Sequence, residues 1–266
     1  MAIRPWRACP RPAALGHLRL DSILRSPLIG RLSPRLILMY HGISGRDAED
    51  SLTVRFSEFV RQIDFVADRC ELVSLPEILA GDRKRPAAAI TIDDGYAALL
   101  DEAMPFLLDR GVPVTLFVPF GLLGKSLVRA GNNVRLMTAA EVQDVAKAGC
   151  AVGSHSLTHR ELPTLTDDEA LKEIRDSRSA LEELVRHPIS AFSYPRGKFA
   201  PRHADMVRRS GYTYAVITAN RAVAGDTDPF LLPRLRVDAA TTWTKFRLKL
   251  TTLGDRYVRL RDRISR

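Results

Sequence analysis

The chain has 266 residues and a mass of 29.6 kDa, enough for one large domain or two small ones. Hydrophobic residues at 45% and charged residues at 27% are ordinary for a globular chain and exclude a disordered, collagenous or coiled-coil protein. The net charge of +9 sits at the ends: residues 1–35 carry seven Arg against Asp21, and residues 244–266 carry eight Lys or Arg against Asp255 and Asp262, leaving the middle faintly acidic. In chain order, residues 1–35 read as a basic arm. Leu36 to Tyr40 is a continuous apolar run and reads as a buried strand. Phe56, Phe59, Val60, Ile63 and Val66 recur at helical spacing. Ala87 to Ile92 is predicted as a strand, Tyr96 to Leu108 as a helix, and Val114 to Val118 as a strand. Thr138-x-x-Glu141 and Thr166-x-x-Glu169 are capping boxes, opening helices to about Lys147 and Val185. Between and after them come short strands at Cys150–Val152, Ala191–Tyr194 and Tyr212–Ile217, with a helix over 202–210. A basic amphipathic helix is predicted from Trp243 to about Ile264. In it Trp243, Phe246, Leu250 and Leu253 should pack inward, and the part beyond Gly254 should project.

Strands alternate with helices over residues 36–240, and apolar strands of this kind are covered on both faces, so the sheet should be mostly parallel. About seven such units suit a small (β/α) barrel, with a doubly wound open sheet as the alternative. Either way the working site belongs at the carboxyl ends of the strands. Cys9, Cys70 and Cys150 form no CxxC pair and suggest neither a disulfide framework nor a cysteine zinc site. No apolar run is long enough for a transmembrane helix, and the N-terminal arginines are not followed by the apolar core of a signal peptide. The expected location is therefore the cytoplasm, with the basic ends suited to an anionic membrane at its inner face. No aromatics interleave with the basic residues, so nucleic acid is not an expected partner.

Three segments carry chemistry, each where a predicted strand ends. In Thr91-Ile92-Asp93-Asp94-Gly95, two adjacent carboxylates follow an apolar strand, which is costly unless something pairs with them. They form either a helix cap and turn, or one metal ligand beside a free base. In His155-Ser156-Leu157-Thr158-His159 the two imidazoles fall four apart, on one face of a helical turn, so both can reach one cation. Joined to Asp94 they form a His-His-carboxylate set that Zn²⁺ accepts, as do Co²⁺, Ni²⁺ and Fe²⁺. The third, Phe192-Ser193-Tyr194-Pro195-Arg196-Gly197, is a strand running into a turn.

In this order and spacing, Asp93-Asp94, His155-x-x-x-His159 and Tyr194-Pro195-x-Gly197 resemble the first three motifs of the NodB-homology polysaccharide deacetylases, carbohydrate esterase family four. Met39-Tyr40-His41-Gly42 and Leu232-Pro233-Arg234-x-Arg236-Val237 resemble its bacterial exopolysaccharide-associated subgroup. The resemblance implies a distorted (β/α) barrel of about seven strands and one divalent metal, zinc foremost. It implies an N-deacetylase acting on amino sugars of a polysaccharide, oligosaccharide or lipid-linked glycan. By position, Asp94, His155 and His159 would hold the metal. Asp93 would be the general base toward a water activated by that metal, and the backbone at Tyr194 and Pro195 would help stabilise the oxyanion.

Two places depart from the family pattern. Ser193 stands where the family often has an Arg that orients the base; Arg234 is the candidate substitute. No His follows His203, so the C-terminal Leu-x-His that carries a general acid is missing; His41, at the end of the first predicted strand, is the candidate for that role. If both roles were vacant, the chain would be a non-catalytic glycan-binding relative. A metal amidohydrolase acting on a small non-sugar amide is the other alternative, distinguished by a closed pocket rather than an open groove.

Overall fold

The computed structural model describes residues 31–45, 50–80, 83–129 and 132–264, so the arm over residues 1–30 and Cys9 lie outside the described residues. The strands are β1 (Arg35–Tyr40), β2 (Ile43–Ser44), β3 (Val54–Arg55), β4 (Glu71–Leu72), β5 (Ala87–Ile92), β6 (Val114–Val118), β7 (Ser126–Arg129), β8 (Asn132–Arg135), β9 (Ala151–Ser154), β10 (Ala191–Ser193), β11 (Tyr214–Thr218) and β12 (Leu232–Arg236). The helices are α1 (Phe56–Arg69), α2 (Ala103–Asp109), α3 (Ala139–Lys147), α4 (Asp167–Val185), α5 (Pro201–Arg209), α6 (Trp243–Lys249) and α7 (Thr252–Ile264). Seven parallel strands close on themselves in the order β1-β12-β11-β10-β9-β6-β5, because β5 pairs along the whole length of β1. This is the distorted seven-stranded (β/α) barrel expected from the sequence, and the open sheet is excluded.

Alternation along the strands sorts side chains into two layers. Leu36, Leu38 and Tyr40 of β1, with Ala88, Ile90 and Ile92 of β5, join the layer packed beneath the helices. Ile37, Ala87, Ala89, Phe117, Ala191, Val216 and Leu232 form a separate cluster inside the barrel, closed at the amino-terminal end by Leu75 and Ile78. The inward positions continue past the apolar part. Thr91 and Asp93 follow Ala89, Ser193 follows Ala191, and Arg234 follows Leu232. The barrel interior is therefore apolar at one end and ionic at the carboxyl end, where Asp93, Ser193 and Arg234 are all buried.

Three expectations need correction. Strand β12 was not anticipated, since Pro233 and two arginines argue against a central strand, yet it lies between β1 and β11. The helix expected from Tyr96 is broken into a 3₁₀ turn, Ala97–Leu100, and a short α2. The helix expected over 243–264 is two helices. Gly254 packs so tightly under Leu248 that a Cβ there would come 2.2 Å from the Leu248 carbonyl oxygen, and Thr251 between them bridges to Leu32. Trp243, Phe246 and Leu250 pack inward as expected, with Trp243 5.1 Å from the Phe65 ring, but Leu253 is exposed. Cys70 and Cys150 are buried free thiols.

Candidate active site

The carboxyl-terminal mouth of the barrel holds a cavity of about 270 Å³ lined by Met39, His41, Leu52, Asp93, Asp94, His155, His159, Arg196, Gly197, Thr218 and Arg236. Asp93 inherits its inward direction from β5, and its N–H is fixed by the Tyr40 carbonyl at 2.9 Å. Asp94 then turns the chain at φ 68° and Gly95 continues at φ 70°. Aspartate tolerates this left-handed region better than most residues. At Gly95 a Cβ would also press on Val118 at 2.9 Å. Consecutive carboxylates therefore face one cavity although they are neighbours in sequence.

The His155–His159 segment reaches the same place by a route the sequence reading did not anticipate. It is a loop, not a helical turn: Ser156 and His159 have φ near 62° and 61°. Tertiary contacts replace the helical hydrogen bonds. The Leu157 carbonyl accepts from Gly121 N–H at 2.7 Å, the His159 N–H donates to Ser156 Oγ at 3.0 Å, and the Thr158 N–H donates to the buried Glu173 carboxylate at 2.8 Å. Asp94, His155 and His159 each present one ligand atom, all within 4.8 Å of one another. His159 Nε2 lies 3.3 Å and His155 Nε2 3.5 Å from Asp94 Oδ1. His155 Nδ1 lies 2.8 Å from the Ser193 carbonyl. That contact requires Nδ1–H and leaves the Nε2 lone pair facing Asp94, the tautomer a metal ligand needs. Burial lowers the His155 pKa to about 4, against the pull of Asp93, so the ring is neutral at pH 7. Two imidazoles and a carboxylate converging at one point fit a divalent cation.

Asp93 sits beside this set, its Oδ2 3.7 Å from His155 Nε2. Arg234 grips it with both arms, Nη1 to Oδ1 at 2.7 Å and Nη2 to Oδ2 at 2.6 Å. Ser193 Oγ accepts from Arg234 Nη2 at 3.0 Å and reaches Asp93 Oδ2 at 3.3 Å. A small residue at 193 thus leaves room for an arginine arriving from β12, two strands away in the ring. Burial pushes the Asp93 pKa up, but the charges of Arg234 and His155 and the Arg234 hydrogen bonds outweigh it, so the carboxyl ionises below its usual range. Asp94 is also held well below the usual carboxylate range: burial opposes ionisation, and the His159 hydrogen bond and the neighbouring imidazoles overcome it.

His41 lines the cavity with its Nδ1 buried and without a hydrogen-bond partner. Gly42 is what allows its placement, because a Cβ there would lie 2.3 Å from Thr53 Oγ1 where the 50–54 loop crosses. That loop, which the sequence reading missed, is pinned by Asp50. Its carboxylate accepts from Leu52 N–H at 2.9 Å, Thr53 Oγ1 at 2.8 Å and Tyr96 OH at 2.8 Å. Tyr194 and Pro195 stand behind the cavity wall rather than in it. Tyr194 is fully buried, and its N–H donates to the Val216 carbonyl at 3.2 Å. Arg196, at φ 55°, and Gly197 line the wall instead. His203 serves as a cap, its Nδ1 accepting from the Ala200 N–H at 2.9 Å, and Trp243 lies on α1 and not over the mouth.

A closed parallel barrel thus carries a His-His-Asp set that could hold a metal ion beside an arginine-held aspartate. The polysaccharide deacetylase family model matches residues 80–215, and the chain belongs to that family, hydrolases of carbon–nitrogen bonds other than peptide bonds. The protein YxkH of Bacillus subtilis (strain 168) is 28% identical over 216 residues, 79% of this chain and 74% of that protein. The poly-beta-1,6-N-acetyl-D-glucosamine N-deacetylase of Staphylococcus epidermidis is 23% identical over 219 residues, 76% of this chain and 75% of that one. Among solved structures, the Streptococcus pyogenes deacetylase PplD superposes with a TM-score of 0.70 at 20% identity, covering 83% of this chain and 99% of its own. IcaB from Ammonifex degensii gives 0.69 at 18%, covering 83% and 100%. These two likenesses speak for the fold.

Proposed function

We propose that the protein is a metal-dependent N-deacetylase of N-acetylated amino-sugar glycans, with poly-N-acetylglucosamine as the first substrate to try and a lipid-linked saccharide as the second. The observation that carries this reading is the buried Arg234–Asp93 pair beside Asp94, His155 and His159. Those three would hold the cation, zinc foremost. When bound, the cation would polarise the amide carbonyl and lower the pKa of a water molecule. Asp93 accepts a proton from the attacking water as oxygen adds to the carbonyl carbon. Arg234 occupies one lone pair on each Asp93 oxygen and so fixes the direction of the remaining ones. His41 gives a proton to the leaving amine nitrogen as the C–N bond breaks, yielding acetate and the free amino sugar. With the Tyr194 N–H committed, Arg196 is the candidate oxyanion donor of its turn. Its N–H takes no part in the turn's own bonds, which run from Gly197 N–H to Tyr194 O and Lys198 N–H to Pro195 O.

The presence of a base-orienting arginine and a cavity-lining His41 favours an enzyme over a binding relative. The exposed Arg196 at the rim favours a glycan over a small enclosed amide. The test is acetate release from N-acetylglucosamine oligomers after stripping and re-adding Zn²⁺ or Co²⁺, with Asp93→Asn alongside. Metal-dependent acetate that vanishes in the variant is the expected result. Acetate release insensitive to both metal removal and the variant would overturn the assignment.

A further inference from the structure

Four of the five exposed large apolar side chains among the described residues lie between Leu248 and Leu260. Three of them, Leu253, Tyr257 and Leu260, recur at i, i+4 and i+7 on α7 and are 55%, 67% and 59% exposed. That spacing makes one stripe along a helix. Arg256 and Arg261, both exposed, flank it on either side. The opposite face of α7 is tied to the barrel: Asp255 Oδ1 accepts from Ala222 N–H at 2.8 Å, and Arg259, which donates to Asp255 Oδ2 at 2.7 Å, holds that carboxylate in place. The stripe is therefore held outward by the fold and is not a face that has failed to find the core.

Beside the start of α7 lies a second feature. Arg31, Arg35, Arg83, Lys84 and Arg85 surround a cavity of about 570 Å³ that Thr252 of α7 also lines, with no acidic residue in its wall among the described residues. Arg83 keeps an ion pair to Glu71 at 2.7 Å at its edge. Both features sit at the amino-terminal ends of β1 and β5, whereas His41 and Asp93 follow their carboxyl ends. The six residues of each strand separate the two ends by about 20 Å at about 3.3 Å per residue.

We propose that this end of the barrel docks on an anionic phospholipid surface, with Leu253, Tyr257 and Leu260 entering the interface and the basic cluster lying over headgroup phosphates. An apolar stripe bordered by arginines is the pattern of a helix that lies in a membrane interface. Three side chains over about 10 Å of helix are a weak anchor alone, and adjoining cations supply the second contact that reversible binding needs. Charge decides against the other occupants. Residues 1–30 carry five Arg against Asp21, so that segment would meet arginines with arginines, and a second copy would do the same. An anionic bilayer complements both features. Docked this way, the barrel turns its carboxyl-terminal mouth away from the bilayer, toward glycan arriving from the aqueous side.

The experiment is co-sedimentation of the full chain with vesicles of phosphatidylcholine alone and with 30% phosphatidylglycerol. Binding only to the anionic vesicles, weakened by salt, is expected. The Leu253→Ser/Tyr257→Ser/Leu260→Ser variant and the Lys84→Ser/Arg85→Ser variant should each lower the partition coefficient by about 10-fold or more. Melting curves check that both variants fold. A Tyr257→Trp variant, in which bromolipids should quench the new fluorescence, reads the same contact without removing the stripe. No binding to anionic vesicles, or unchanged binding and no quenching at position 257, overturns the proposal. So does a dimer that the stripe variant turns to monomer while vesicle binding is unaffected.

Discussion

Arg234 and Asp93 form the most consequential pair in the molecule, because both are buried and the guanidinium grips both carboxylate oxygens. Removing one partner of a buried pair costs about 3–5 kcal/mol through the charge left behind. Arg234→Met should therefore lower stability by that order in a denaturant titration. The same variant makes a pH prediction with a definite sign. The Asp93 pKa is now depressed, with Arg234 a main cause; removing Arg234 leaves burial less opposed and should raise it. The acid limb of the kcat/KM profile should move to higher pH in any surviving activity, while Arg234→Lys, which keeps the charge, should move it less. An unmoved limb would deny that Arg234 acts through Asp93. His41→Asn should lower kcat by about 100-fold with little change in KM if the ring is the proton donor.

At the scale of elements, the loop carrying His155 and His159 owes its shape to α4 and to the turn after β6. Glu173 of α4 satisfies the Thr158 N–H and hydroxyl. Glu173→Ala should cost about 1–3 kcal/mol for the unpaired buried groups and weaken Zn²⁺ affinity by about 10-fold or more, as loss of outer support does at metal sites. Gly121→Ala should have the same direction of effect on metal binding, since its Cβ would meet the Leu157 carbonyl oxygen at 2.8 Å. Isothermal titration with Zn²⁺ measures both; full affinity in both variants would mean that the loop holds itself. The two capping boxes illustrate elements set by local chemistry alone: Thr138–Glu141 and Thr166–Glu169 each exchange both reciprocal hydrogen bonds, as their sequences announce.

For the whole molecule, closure of the ring by β1 and β5 is what gathers His41 and Asp93 at one mouth, and β12 brings Arg234 there from the far end of the chain. A cation held by Asp94, His155 and His159, as proposed, would bind the folded state, where the three are brought together. At 100 times its Kd it should add about 2.7 kcal/mol, a rise in Tm of about 5–10 °C for a domain this size. A thermal scan with and without chelator checks this, and an identical Tm would argue that the three side chains do not act as one site. Among the described residues no helix is long and apolar enough to cross a membrane.

The apolar runs, the capping boxes and the periodicity were enough to read strands alternating with helices around a mostly parallel sheet, barrel or open, because burial on both faces of a parallel sheet leaves a local imprint; closure into a ring was decided by β1 pairing with β5. Asp93, Asp94, His155 and His159 were legible as a set because their residue types and spacing carry the chemistry. What sequence could not convey is anything that depends on which strand closes against which. Arg234 was only a candidate until β12 was seen beside β1, with Pro233 masking the strand. The loop form of His155–His159 depends on partners at Gly121 and Glu173, distant in the chain. The turn at Tyr194–Pro195 displays Arg196 and Gly197 instead, since β10 spends the Tyr194 N–H on pairing with β11. The break between α6 and α7, set by the approach of Gly254 to Leu248 and by Thr251 bridging to Leu32, is likewise a tertiary decision, and it turns an expected continuous helix into an outward-facing one.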